Sequence, residues 1–360
     1  MHAHGSRGFV ALALLVAGCS PADDDGDGAV PLTGLGDATS PIDGGEDAGE
    51  IKLDVADTDG ALPCPEGQIC EACEVSEHPG CDDDPSDVFA AIGLGCADGP
   101  DATVSTRGSA AAIGTRTGFG TSENWLPREG QRFAVLGSGV VADLDLPTPP
   151  GDPNAAPTHC NDDLGAFDVG MALPAPLLAN GVTGDCVQEP TLLGTGDCSN
   201  TIEGQFVQGG SANDYTELRI EAVVPPSNDS LAYDFAFLST EYPYYSDTAF
   251  NDMVVGWLES ERWTGNISFD ADGNPISLNA GFLDFRDTDG DLPEFAGTCM
   301  RQHAATRWLS TTAPVTPGES ITLVFAIFDL SDSNLDSFVF LDDFRWGCEG
   351  TDHPTTQPVG

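Results

Sequence analysis

The run Ile321-Thr322-Leu323-Val324-Phe325-Ala326-Ile327-Phe328 is almost unbroken in apolar character, and Phe338, Phe340 and Phe344 follow it at even spacings. Runs of this length, bounded by turn residues, fit strands that a facing sheet covers. Outward from it the same grammar repeats. Leu218, Ile220, Ala222 and Val224 alternate with Arg219 and Glu221. The turn Pro225-Pro226-Ser227-Asn228-Asp229 follows, and then Tyr233, Phe235 and Phe237 alternate with Asp234 and Ala236. Asn266 to Phe269 and Ile276 to Leu278 flank Asp272-Gly273-Asn274, a hairpin signal in which glycine supplies the positive φ. From Val88 onward no stretch sustains a helical repeat over three turns. Many short strands with frequent turns predict an all-β chain, a jelly-roll-like antiparallel β-sandwich over residues 86–350.

The segments before this body have a different composition. Arg7 precedes an apolar stretch from Gly8 to Gly18, which closes as Leu14-Leu15-Val16-Ala17-Gly18-Cys19. The plan is that of a secretory signal over residues 1–18, too short to span a bilayer. It resembles the bacterial lipobox, in which the mature chain begins at an acylated cysteine. Cys19 is therefore the expected lipidation site, and the membrane a partner through that anchor. Residues 19–62 are rich in Asp, Gly and Pro without an aromatic residue, so they read as a disordered acidic tether. About 40 such residues reach roughly 35 Å as a random coil.

Removing Cys19 from the eleven cysteines leaves Cys64, Cys70, Cys73, Cys81, Cys96, Cys160, Cys186, Cys198, Cys299 and Cys348, an even set suited to disulfides in an exported protein. Cys64, Cys70, Cys73 and Cys81 form a compact Cys-rich segment over residues 63–85. Two internal disulfides are expected there, with a tetrahedral zinc site as the competing reading. The tail 351–360 is polar and reads as disordered. A net charge of -47 with a single lysine excludes nucleic acid as a partner and favours divalent cations or basic surfaces.

Phe237-Leu238-Ser239-Thr240-Glu241-Tyr242-Pro243, followed by Ala249-Phe250-Asn251-Asp252, resembles the "choice-of-anchor L" domain of bacterial surface proteins. So do Pro317-Gly318-Glu319, Ala326-Ile327-Phe328-Asp329, Leu335-Asp336-Ser337 and Val339-Phe340-Leu341-Asp342. Asn266 to Asp270 and Gly273 to Ile276 are also similar, and Ala91-Ile92-Gly93-Leu94 and Arg128-Glu129-Gly130 fit its opening strands. The likeness covers residues 86–348. It implies an extracytoplasmic β-rich module attached by one of several anchors, and no reaction. Where the family pattern has a glycine this chain has Cys299, which suggests a local disulfide. No sorting signal follows Cys348, so the resemblance leaves attachment to Cys19.

Two loops carry the chemistry that stands out. Asp329, Asp332, Asp336 and Asn334 lie between two apolar strands, and Glu241, Asn251 and Asp252 lie in the other signature segment. Calcium takes six to eight oxygens in a flexible cage, so the two loops offer ligands for one site at one end of the sandwich. The competing reading makes these residues Asx-turn caps and partners of arginines. Asp287, Asp289 and Asp291, with Glu294, form a second calcium-like spacing without the full EF-hand pattern. Asp270, Asp272 and Asn274 mimic it at the hairpin turn. Tyr242, Tyr244 and Tyr245, with Trp257 and Trp263 nearby, suit stacking against a glycan ring or contact with a surface protein.

No GxSxG, HExxH, P-loop or GxGxxG motif occurs, and the six histidines stand apart. The expected function is a non-catalytic binding or adhesive module, lipid-anchored in the cell envelope at an outer membrane or cell surface. The alternatives are a carbohydrate-active enzyme on the same scaffold and a purely structural envelope protein.

Overall fold

A computed structural model describes residues 75, 80–97, 99–149, 156–179, 200–279 and 281–359. The expected signal over residues 1–18, Cys19, the expected tether over residues 19–62, and Cys64, Cys70, Cys73, Cys186 and Cys198 lie outside the described residues. Two antiparallel sheets pack as a sandwich. The first runs in the order β1 (Ala102–Arg107), β4 (Ala212–Val223), β11 (Ser320–Leu330), β6 (Met253–Glu259), β7 (Thr264–Asn266). The second runs β13 (Thr355–Pro358), β10 (Leu309–Pro314), β5 (Ser230–Ser239), β12 (Ser337–Gly347), β3 (Phe133–Gly137), β2 (Ile113–Arg116). The short strands β8 (Phe285–Arg286) and β9 (Ala304–Ala305) add to the second sheet beside β5.

The apolar runs are continuous because the long strands are covered on both faces. In β11, Leu323, Phe325 and Ile327 point between the sheets, where they join Tyr233, Phe235 and Phe237 of β5 and Val339 and Leu341 of β12. Their neighbours Val324, Ala326, Phe328 and Leu330 point outward into a second cluster with Tyr215, Trp257, Ile202 and Phe206. The outer face of the other sheet carries a third cluster, in which Phe338 and Phe340 of β12 meet Phe133, Trp125, Phe295 and Trp308. Burying one such side chain contributes about 1.5–3 kcal/mol, so strands that are apolar on both faces hold the two sheets and their covering layers together.

Consecutive long strands switch sheets. The Pro225 to Asp229 turn carries the chain from β4 in one sheet to β5 in the other, and the loop after Leu330 carries it from β11 to β12. Register then brings four strand ends to one side: Ser337 faces Ser239, and Phe328 faces Met253. The ends of β5, β6, β11 and β12 therefore share one end of the sandwich.

Among the described residues one helix, α1 (Asn200–Gly209), is added to the expected strands and covers the outer face of the first sheet. Its apolar anchors are Ile202 and Phe206, one helical turn apart, and the Phe206 ring meets Phe328 edge-on at 5.9 Å. Ala91 to Leu94 is no opening strand. A 3-10 turn (Ala90–Ile92) forms instead, because the Asp87 carboxylate accepts from the Phe89 and Ala90 N–H groups, and Gly93 takes φ 88°. The turn after Phe269 forms as read, with Asp270 N–H donating to Asn274 O at 2.8 Å, but Ile276 to Leu278 runs along Asp252 to Val254 instead of pairing back as a full strand.

Residues 355–358 of the expected disordered tail form β13, an edge strand on β10. Alternation explains the docking: Thr356 shares a hydroxyl hydrogen bond with Thr311 at 2.8 Å, and Val359 packs beside the third cluster.

The cysteines also pair differently. Cys81 bonds Cys96, not a member of the Cys64 to Cys81 segment, which removes both the two internal disulfides and the four-cysteine zinc site. Asp82 explains the placement, since its carboxylate accepts from the Gln131 and Arg132 N–H groups and fastens this stretch to the sandwich. Cys299 makes no local bridge. It bonds Cys160, 139 residues away. Cys348 is disulfide-bonded as well.

Candidate functional site

The end of the sandwich where β5, β6, β11 and β12 meet is built from acid. Asp329 is the penultimate residue of β11, Asp336 immediately precedes β12, Glu241 lies two residues after β5, and Asp252 immediately precedes β6. All four side chains are buried, at 0 to 1 % exposure. Strand register alone assembles them, since each sits within two residues of a paired strand end.

Asp252 ties the two sheets together. One carboxylate oxygen accepts from the Leu330 N–H at 3.2 Å and the other from the Ser337 hydroxyl at 2.6 Å. Asp336 accepts from the Asp162 N–H at 2.9 Å through one oxygen, while its second oxygen is buried without a partner. Neither oxygen of Asp329 meets a donor in hydrogen-bond geometry, although the Asp252 carboxyl group lies close enough to share a proton with it. The Ser138 hydroxyl, close enough to favour the Asp329 carboxylate, donates to the Ser337 carbonyl at 3.3 Å. Gly139 passes so close that a Cβ there would overlap the Asp336 carboxylate.

Burial raises the proton affinity of every member. Asp329 is pushed well above the usual carboxylate range by desolvation first, then by Asp252 and Asp336. Asp336 is raised by desolvation first, with Asp162, Asp252 and Asp214 adding to it. Glu241 and Asp252 rise for the same reasons, each facing Asp332 as well. Asp214, beside Asp168 and Asp163, is raised by burial to about 7. Among the described residues no arginine or histidine pairs with any of Glu241, Asp252, Asp329 or Asp336. The arginines pair elsewhere: Arg128 and Arg345 with Asp234, Arg116 with Asp145, Arg219 with Glu217, Arg307 with Asp284. As the side chains lie, no three of the described His, Cys, Asp and Glu residues surround one point closely enough to hold a metal ion.

The other expected ligands separate from this cluster. Asp332 is half-buried at its rim and accepts from the Asn334 N–H at 3.4 Å. Asn251 is fully buried, but its amide bridges Gln205 of α1 at 2.8 Å and the Asn279 N–H at 3.0 Å. Asp287 spends its carboxylate on the Asp291, Leu292 and Gln302 N–H groups, while Asp289 and Asp291 are exposed, so the three do not converge. Asp270 holds its turn through the Asp272, Asn274 and Gly281 N–H groups. Asp270→Ala strands those donors and lowers stability by about 1–3 kcal/mol, with or without calcium, as urea midpoints will show.

Tyr244 is exposed, whereas Tyr242 and Tyr245 pack partly against the core and Trp257 and Trp263 are fully buried. Two surface hollows, of 650 and 590 Å³, are lined by Asp101 to Thr103 with β4 and β11, and by Asp84 to Phe89 with Ile113. Neither is lined by the tyrosines or the acidic cluster. Sequence reasoning missed Asp162 and Asp214, which join the cluster from a loop and from β4, and no signal in their own neighbourhoods marks them.

Glu241, Asp252, Asp329 and Asp336 all fall within one family match. Residues 179–344 match the Choice-of-anchor L domain. The Choice-of-anchor L match starts after β3, so β1, β2 and β3, which complete both sheets, precede it. Comparison with curated proteins and with solved structures finds no match. The Choice-of-anchor L domain and the disulfides mark an extracytoplasmic surface protein.

Proposed function

We propose that this chain is a lipid-anchored surface protein whose sandwich serves as a non-catalytic binding or adhesive module. The observation that carries the reading is the Cys160–Cys299 disulfide, fully buried within a sandwich whose main strands match a surface domain. A bridge of that kind persists in an oxidising compartment. The apolar stretch ending in Cys19 supplies the anchor and residues 19–62 the spacer. Tyr242, Tyr244 and Tyr245 are the surface we assign to a glycan or protein ligand, with Tyr244 the most exposed.

Labelled palmitate incorporated in cells tests the anchor. The wild-type chain takes up label and sediments with membranes, while Cys19→Ala takes up none and leaves the membrane fraction. Equal labelling of both chains, or membrane association unchanged by the substitution, overturns the reading.

A further inference from the structure

We propose that Asp329, Asp336, Asp252 and Glu241 form a calcium site that locks the β11 to β12 crossover onto the segment between β5 and β6. Two independent observations meet here. The first is placement: four carboxylates from four strand ends are brought together by the register of two sheets. The second is the unmet demand of the group at their centre. Asp329 is fully buried with neither oxygen meeting a donor in hydrogen-bond geometry, and one oxygen of Asp336 is in the same state.

A buried carboxylate is costly unless it is protonated, paired with a cation or ligates a metal. No described arginine or histidine supplies the charge, and the whole chain holds one lysine. All donors in the cluster are oxygens, which suits a hard divalent cation. Calcium tolerates irregular geometry with carboxylate, carbonyl and water ligands, where magnesium demands a near-ideal octahedron. The carboxylates do not surround one point as they lie, so entry of the ion must draw them from mutual repulsion toward a common centre, with half-buried Asp332 at the rim as the route in. Asn251 is left out, since its amide is spent on Gln205 and Asn279.

The consequence is mechanical. Asp252 already bonds Leu330 and Ser337, so an ion at this end ties both sheets at the crossover and firms the segment that carries Tyr242 to Tyr245. The inference does not rest on the lipid anchor. A membrane-bound chain without a calcium response sinks this site and leaves the anchored reading standing.

Thermal melting of the full chain at pH 8, in chelator and in millimolar calcium chloride, tests it. Wild type should melt roughly 5–10 °C higher when calcium is in hundredfold excess over its dissociation constant. Asp329→Asn should melt above wild type in chelator, because one repelling charge is gone, and should gain nothing from calcium. Asp289→Asn, an exposed carboxylate outside the cluster, should respond like wild type. Should Asp329→Asn fail to fold, Asp336→Asn carries the same comparison. No calcium shift in wild type, or a full shift retained in the cluster variant, overturns the proposal.

Discussion

Replacing Cys160 and Cys299 together by alanine lowers stability by about 2–5 kcal/mol, read as a fall in the guanidinium midpoint. The bridge closes a separation of 139 residues, so its removal returns a large loop entropy to the unfolded chain. Both half-cystines are fully buried, and Cys299 lies in the cluster with Met300, Trp308 and Phe340. The loss is also local to the acidic end. The Cys160 carbonyl accepts from the Asp336 N–H at 3.1 Å and from the Thr240 hydroxyl at 3.3 Å, which seats the β12 approach against the β5 exit. The variant should therefore lose part of any calcium response along with its stability. A midpoint within about 0.5 kcal/mol of wild type, the range of neutral surface changes, would show that the bridge is dispensable.

In chelator the chain should be most stable in mildly acidic solution and lose a few kcal/mol, in order of magnitude, toward pH 9. The native pKa is raised to about 7 for Asp252 and about 10 for Glu241, by burial first, with Asp252, Asp329, Asp332 and Asp336 near one another. Unfolded carboxylates titrate near about 4. Between those values the native state binds more protons than the unfolded one, so stability falls as pH rises through 7 toward 10. His303 works the other way on the acid side. Burial lowers it to about 4, with the Tyr242 carbonyl and Asp287 opposing, so its contribution is present above about 6.5 and is lost as pH falls toward 4. Saturating calcium should flatten the alkaline limb, because the ion replaces the protons. Melting temperatures from pH 5 to 9 decide this, and stability rising with pH from 6.5 to 9 in chelator would show that the cluster is not strained by its own charge.

These two results depend on the sequence in different ways. The strands were legible because alternation and apolar runs report burial locally. Leu218 to Ala222, Tyr233 to Phe237 and Ile321 to Phe328 became strands where expected, inside β4, β5 and β11, and Val224 lies one residue past β4. Helix α1 was not legible, since its burial rests on two residues, Ile202 and Phe206, and on the strand face that receives them. Thr355 to Pro358 looked like tail because an edge strand needs few apolar residues once a neighbour offers its unpaired edge. Of the expected ligands, Asp329, Asp336, Asp252 and Glu241 lie buried at one end of the sandwich, and Asp287, Asp289 and Asp291, the set with calcium-like spacing, do not converge.

The sequence by itself determined that the chain has a two-sided β body of strongly acidic composition, because periodicity and charge are sums over near neighbours. Tertiary structure alone decided which carboxylates are buried together, that Cys160 finds Cys299, and that Cys81 leaves its own segment for Cys96. The reason is physical. Whether two groups far apart along the chain meet depends on strand register and sheet order, and a carboxylate changes character only when its neighbours in space exclude water and supply no counter-charge.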